Sequence, residues 1–307
     1  MEKSYTVCLM GHNHFKLKLF GQLLFLCLIL TGIYKYQYIL DQYALATFHP
    51  SNEVSSIIDR LQLTPKARAI LARSRPQIDA KKAFNTDCQT SKGELELGCY
   101  VNGRIFVLKI ENPSLAPEMD VVLAHELLHA SYDRISQTQK TSVNEAIEAT
   151  YSKITDADLK QRIADYAVSE PGQRDNELHS ILGTEYSTLN PILESHYLNY
   201  FFDRSVIVAA QKSYQRVFED QRRALDADLA GIRALKAQLT SLNRRMDSLK
   251  SNGSIAAYNA LVPQQNQLVD TINNRIRIYQ QGVDEYNALS KSLDSQQITT
   301  PAESTVQ

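Results

Sequence analysis

Two histidines four residues apart with a glutamate after the first, His125-Glu126-Leu127-Leu128-His129, make a segment whose residue types and spacing name a reaction. On a helix, positions i and i+4 share a face, so both imidazoles reach one Zn²⁺ while Glu126 addresses the water on that metal. The chemistry would be zinc-dependent hydrolysis of an amide bond, with Glu126 as general base. Five positions with three fixed letters arise by chance in about one chain in a hundred of this length, so the surroundings have to decide.

A catalytic zinc needs a third protein ligand and an open fourth position. The metzincin pattern puts a histidine six residues after the second one; here that position is Ile135, and Tyr132 stands where its glycine would be. That pattern is therefore excluded, and the third ligand has to come from a later helix. Glu177, which follows Asn176 early in a short helical segment, is the first choice and would complete a His₂Glu site. Glu185 and His179 remain alternatives, Glu185 also as a partner that orients a zinc histidine. A donor to the transition state is expected as well, and His179, His196 and Tyr197 are the nearest candidates. Glu194, Tyr200 and Phe201 read as core or support, and His12, His14 and His49 as incidental.

The elements that must position these groups follow from pattern. Val121, Val122, Ala124, His125, Leu128, His129 and Tyr132 form one stripe of a helix, with Pro117 suited to its first turn. Ahead of it, Cys99-Tyr100-Val101, Asn102-Gly103 and residues 104–110 read as a β-hairpin, because Asn-Gly supplies the positive φ angles of a tight turn. A strand edge beside the metal would let an extended peptide add as a further strand. Other helices are expected at 53–63, at 65–74 (Thr64 as cap, Pro65 next), at 142–152 (capped by Ser142), at 156–167 (capped by Thr155) and at 176–183, closed by Gly183. From Asn190-Pro191 one helix is expected to run to residue 250, about 90 Å long. Leucines at steps of three and four, a turn at Ser251-Asn252-Gly253-Ser254 and a returning stripe, kinked by Pro263, predict an antiparallel coiled-coil hairpin.

Composition and the N-terminus set the frame. Lys+Arg 33 against Asp+Glu 34 leaves a net charge of −1, so no global field favours nucleic acid. Few glycines (11), no tryptophan and 43% hydrophobic residues suit a helix-rich chain with a real core. Residues 19–34 carry no charge; sixteen helical residues span about 24 Å, and snorkelling Lys18 and Lys35 extend the reach towards the roughly 30 Å of a bilayer core. The Ala44-Leu45-Ala46 segment lies too far beyond this run to serve as a cleavage site, so residues 19–36 read as an uncleaved anchor. Lys3, Lys16 and Lys18, opposed only by Glu2, keep the N-terminus cytoplasmic and place the remainder outside. Cys88 and Cys99 are then the only exported cysteines, and an exported pair predicts a disulfide worth roughly 2–3 kcal/mol.

The expected fold is mainly α with a small β-sheet: cytoplasmic residues 1–18, anchor 19–36, stalk 37–50, a zincin-like domain 51–204, a coiled-coil hairpin 205–295 and a disordered tail 296–307. His125, Glu126 and His129 on one helix, with Asn176-Glu177 opening a later one, resemble the zincin peptidases and, within them, the gluzincin branch. The thermolysin-like signature has an aspartate four residues after the ligand glutamate; here that residue is Ile181. The stretch from Gly98 to Ala130 and the block from Asn176 to Glu185 also resemble an uncharacterised group of membrane-anchored bacterial proteins. The resemblance spans residues 51–204 and implies a membrane-anchored metallopeptidase with one zinc per chain, a peptide or protein substrate and a cell-envelope setting. Two other readings stand beside it: an inactive structural or adhesive envelope protein acting through its coiled coil and a coiled-coil partner, or a zinc hydrolase of non-peptide envelope material.

Overall fold

The computed structural model describes residues 35–88, 97–169 and 171–294, with Phe20, Gln22 and Phe25 upstream. The expected anchor, apart from those three residues and Lys35 and Tyr36, lies outside the described residues, as do the N-terminus 1–18 and the tail 296–307. Among the described residues no helix is long and apolar enough to cross a membrane.

The chain is mainly helical with one small sheet. Tyr36–Thr47 (α1), in the segment read from sequence as a stalk, is a helix laid against Pro65–Ser74 (α3). Asn52–Arg60 (α2) starts at Ser51, whose hydroxyl accepts the Val54 N–H, and α3 starts at Thr64, which accepts from Ala67 with Pro65 at the first position. Both caps satisfy an N–H that a helix start leaves without a partner. Then come Gln77–Asp79 (β1), Lys81–Cys88 (α4), Gly98–Val101 (β2) and Arg104–Leu108 (β3).

The sheet order is β1-β3-β2, with β1 parallel and β2 antiparallel to β3. Asn102 and Gly103 have φ of 52° and 76°, the left-handed pair that a two-residue hairpin turn requires. β3 is central and alternates between two buried faces. Ile105 and Val107 enter the main core beneath Glu118–Tyr132 (α5), while Phe106 and Leu108 meet Phe84 of α4. β3 is therefore covered on both faces and paired on both edges, and among the described residues β1 and β2 are the outer strands of the sheet. The Cys88 and Cys99 sulfurs stand at bonding distance, 2.04 Å, joining the end of α4 to that edge.

The helices after α5 differ from the pattern at their ends: α6 and α8 start earlier than expected, and α7 starts one residue later. Gln137–Tyr151 (α6) is opened by a capping box of Ser136 and Gln139, not by Ser142. Ala157–Ser169 (α7) is capped by the Asp156 carboxylate, which accepts from Asp158 and Leu159, rather than by Thr155. Arg174–Glu185 (α8) runs through Gly183 instead of stopping there. A Cβ on Gly183 would stand 2.4 Å from Leu128 Cδ1 and 2.8 Å from Tyr197 Cε1, so glycine is needed for close approach of α8 to α5.

The single helix expected from 191 to 250 is two. Pro191–Tyr197 (α9) ends, residues 198–204 fold back, and Ser205–Ser251 (α10) begins. No proline or glycine marks the break. It is made by tertiary backbone bonds, Thr64 N–H to the Tyr200 carbonyl (2.9 Å) and Phe202 N–H to the Gln62 carbonyl (2.9 Å), with Tyr200 and Phe201 buried between. The Asp203 carboxylate then accepts the Ser205 N–H. Arg204 fastens the junction, donating to the carbonyls of Gly183 and Tyr186 and to Glu194 at 2.6 Å. α10 and Ile255–Leu293 (α11) run antiparallel across the turn, pairing Phe218 with Tyr286 and Asn243 with Gln265, and burying Ile232, Met246 and Ile272. α11 continues through Pro263. The base of this pair returns to the main core through Tyr214, Phe218 and Leu293, and Lys81 Nζ donates to the Lys291 carbonyl at 2.9 Å.

Candidate metal centre

α5 is buried along nearly its whole circumference, between α8, the sheet and α10. Its polar residues therefore need a reason to be there. Two anchors fix it: Arg60 of α2 grips Asp120 in its first turn through two hydrogen bonds of 2.7 Å, and Asp41 of α1 accepts from Arg134 just past its end at 2.9 Å. Held in this way, α5 presents His125, Glu126 and His129 to one side, where α8 presents Glu177 from its first turn.

His125 Nε2 and His129 Nε2 stand 3.0 Å apart, and Glu177 Oε2 lies 3.3 Å from His129 Nε2 and 3.6 Å from His125 Nε2. Ligand atoms about 2.05 Å from a common tetrahedral centre sit about 3.3 Å from one another. The three observed separations bracket that edge, and His125, His129 and Glu177 form a group that could hold one metal ion. Two imidazoles and a carboxylate suit a borderline transition metal better than calcium or magnesium, which take oxygen ligands.

The electrostatics of the trio are coupled. Burial works against the charged form of His129, but the hydrogen bond to Glu177 and the charges of Glu126 and Glu177 outweigh it and raise the imidazole to about 9. Burial likewise opposes ionisation of Glu177, yet the charge of His125 and hydrogen bonds to His125 and His129 hold this carboxyl well below the usual range.

A cavity of about 270 Å³ opens over the group, lined by Gly98, Cys99 and Tyr100 of β2, Asp133, Tyr166 of α7, Gln173 and Asn176, together with His125, Glu126, His129 and Glu177. Glu126 is 6% exposed and lies against β2. A Cβ at Gly98 would stand 2.8 Å from Glu126 Oε1 and 2.4 Å from Val122 Cγ1, so the strand passes the carboxylate only because this residue has no side chain. Gly98, Cys99 and Tyr100 belong to β2, an outer strand among the described residues.

The other sequence candidates sit elsewhere. Glu185 is the last residue of α8 and pairs with Arg162 at 2.9 Å. His179 is fully buried on another face of α8, Nε2 to Nε2 with His196 at 2.9 Å. Tyr197 is buried and donates its hydroxyl to the His179 carbonyl at 2.6 Å, so it is spent as a donor. Neither His196 nor Tyr197 lines the cavity. Residues that sequence reasoning passed over do line it: Gly98, Tyr100, Asp133, Tyr166 and Gln173. Only Gly98 carried a signal, a glycine opening a strand; Tyr166 sits on a helix that looked like scaffold.

Outside the cavity, the Tyr132 hydroxyl donates to Asn144 Oδ1 (2.9 Å), and Asn144 Nδ2 donates to Asp175 Oδ2 (2.7 Å). This chain links α5, α6 and α8 beside Glu177. No family model matches the sequence, and no curated protein or solved structure matches it either.

Proposed function

We propose that the chain is a zinc-dependent metallopeptidase, anchored in a membrane by residues 19–36 with its main domain outside. The observation that carries this reading is the convergence of His125, His129 and Glu177 at tetrahedral-edge distances, with Glu126 beside them, on a cavity lined by β2, an outer strand among the described residues. One zinc ion held by those three side chains would polarise a scissile carbonyl and acidify water.

The residues of the chain would do the rest. Glu126 accepts the proton of the attacking water and delivers it to the leaving amine. Burial and the contact with Gly98 restrict where its carboxylate can go. The N–H and C=O groups on the outer side of β2, unpaired among the described residues, pair with an extended substrate and set its register. Tyr166 lines the cavity, whereas His196 and Tyr197, the donors expected from sequence, do not. The α10–α11 pair, read as an antiparallel coiled coil, serves as an arm for a partner or as a spacer.

Metal analysis tests the reading. Purified protein should hold about one zinc per chain, and Glu177→Ala should lose it while keeping its helical content. Folded wild-type protein that takes up no zinc would overturn the proposal. Retention by Glu177→Ala with loss in Glu185→Ala would move the third ligand.

A further inference from the structure

α1 has two unlike sides. Leu40, Asp41 and Ala44 turn towards the domain, and Asp41, the only charged residue in the helix, is paired with Arg134 at 2.9 Å. The other side is exposed and carries no charge: Tyr36 59%, Tyr38 61%, Ile39 54%, Tyr43 62% and Leu45 41% exposed, with Gln37, Gln42 and Thr47 among them. In a chain of which 22% is charged, a helix this exposed and this tyrosine-rich is not an ordinary water-facing surface.

What covers it is indicated by the sequence just before. The uncharged residues 19–34 end one position before Lys35, and α1 follows at once. Phe20 and Phe25, described within that run, are also exposed. Tyrosine gathers at the membrane–water boundary because its ring is apolar and its hydroxyl is polar. A helix with such a face, immediately after an apolar run, meets lipid headgroups before any other partner.

We propose that the outward face of α1 lies in the headgroup region of the bilayer, with Ile39 and Leu45 inserted and the tyrosine hydroxyls at the boundary. This rests on reading residues 19–36 as an anchor. The helix then does more than tether. Through Asp41 it holds Arg134, the neighbour of the cavity residue Asp133, and so sets the orientation of the candidate site relative to the membrane surface.

The chain has no tryptophan, which makes single substitutions clean reporters. The full chain should be reconstituted into phosphatidylcholine–phosphatidylglycerol vesicles as Tyr43→Trp, Ile39→Trp, Leu28→Trp and, at an exposed position beside the distant turn, Ile255→Trp. With lipids brominated high on the acyl chain, Tyr43→Trp and Ile39→Trp should lose roughly half their emission and shift to the blue, while Ile255→Trp does neither. Quenching of Leu28→Trp alone would leave the anchor standing and overturn the proposal. Absence of quenching in Leu28→Trp as well would overturn the anchor reading and the proposal together. A blue shift in Tyr43→Trp without lipid quenching, reversed when the chain is diluted among vesicles, would show a second copy on this face and also overturn it.

Discussion

The protein contains two histidine pairs of almost the same geometry and opposite character. His125 and His129 face each other Nε2 to Nε2 at 3.0 Å, and His179 and His196 do so at 2.9 Å. Around the first pair stand two carboxylates, Glu126 and Glu177, and a cavity. Around the second stand Tyr132, Tyr197 and Tyr200 at ring distances of 5.2–5.3 Å, and the charge of Lys66 acts on His196. Burial and Lys66 push His196 down to about 4, and burial with the neighbouring histidines holds His179 well below the ordinary histidine value, whereas His129 rises to about 9. Spacing of imidazoles therefore does not define a metal centre. The carboxylate partner and the open side do, and the second pair is a neutral hydrogen bond in a core.

The largest expected break in this contrast is catalytic. Glu126→Gln should keep zinc and lower peptide hydrolysis about 10³-fold, measured on a quenched-fluorescence peptide library. Next comes the metal itself. His129→Phe should weaken zinc binding by more than about 100-fold, while His196→Phe leaves it unchanged in a chelator competition assay. Equal losses from the two variants would erase the distinction drawn between the pairs.

A smaller effect concerns stability. The folded protein holds His196 near 4, below the ordinary histidine value of 6.5, so the unfolded chain takes up the proton first as the pH falls. The stability tied to this neutral imidazole is complete above pH 6.5 and drains away between 6.5 and about 4, a loss of about 2 kcal/mol after allowing for partial exposure. Denaturant titrations should show that acid sensitivity reduced in His196→Phe. The smallest effect expected is that of Gly98→Ala, which should slow hydrolysis about tenfold by shifting Glu126 and Val122, with zinc content unchanged.

Much of the candidate site was legible because its signals are local. The i, i+4 histidines needed only a helix, and the Asn102-Gly103 turn needed only its own backbone preference. Glu177 could be chosen but not secured, since it lies 48 positions past His129 and its direction is left to tertiary packing. What escaped reading was set by contacts between distant segments. The break at residues 198–204 depends on Gln62 and Thr64, more than 130 positions away, and nothing within the segment except the Asp203 cap announces it. Gly183 looked like a helix stop because glycine usually is one, but its role is clearance for Leu128 and Tyr197. The strand β1 escaped for a similar reason: it is three residues long and exists only by pairing with β3, which places β3 at the centre of the sheet.

The two long helices also set a length scale. Phe218 and Leu289 are the last residues of each that touch the main core, and from there to the turn at Asn252 some 33 residues of helix extend about 50 Å. A polypeptide gripped at the turn and threaded back to the cavity would need at least about 15 extended residues to bridge that distance. The arm is in that sense a gauge: if the proposed peptidase reading holds, lengthening or shortening it by whole turns of helix would move the point at which a tethered chain meets the cavity.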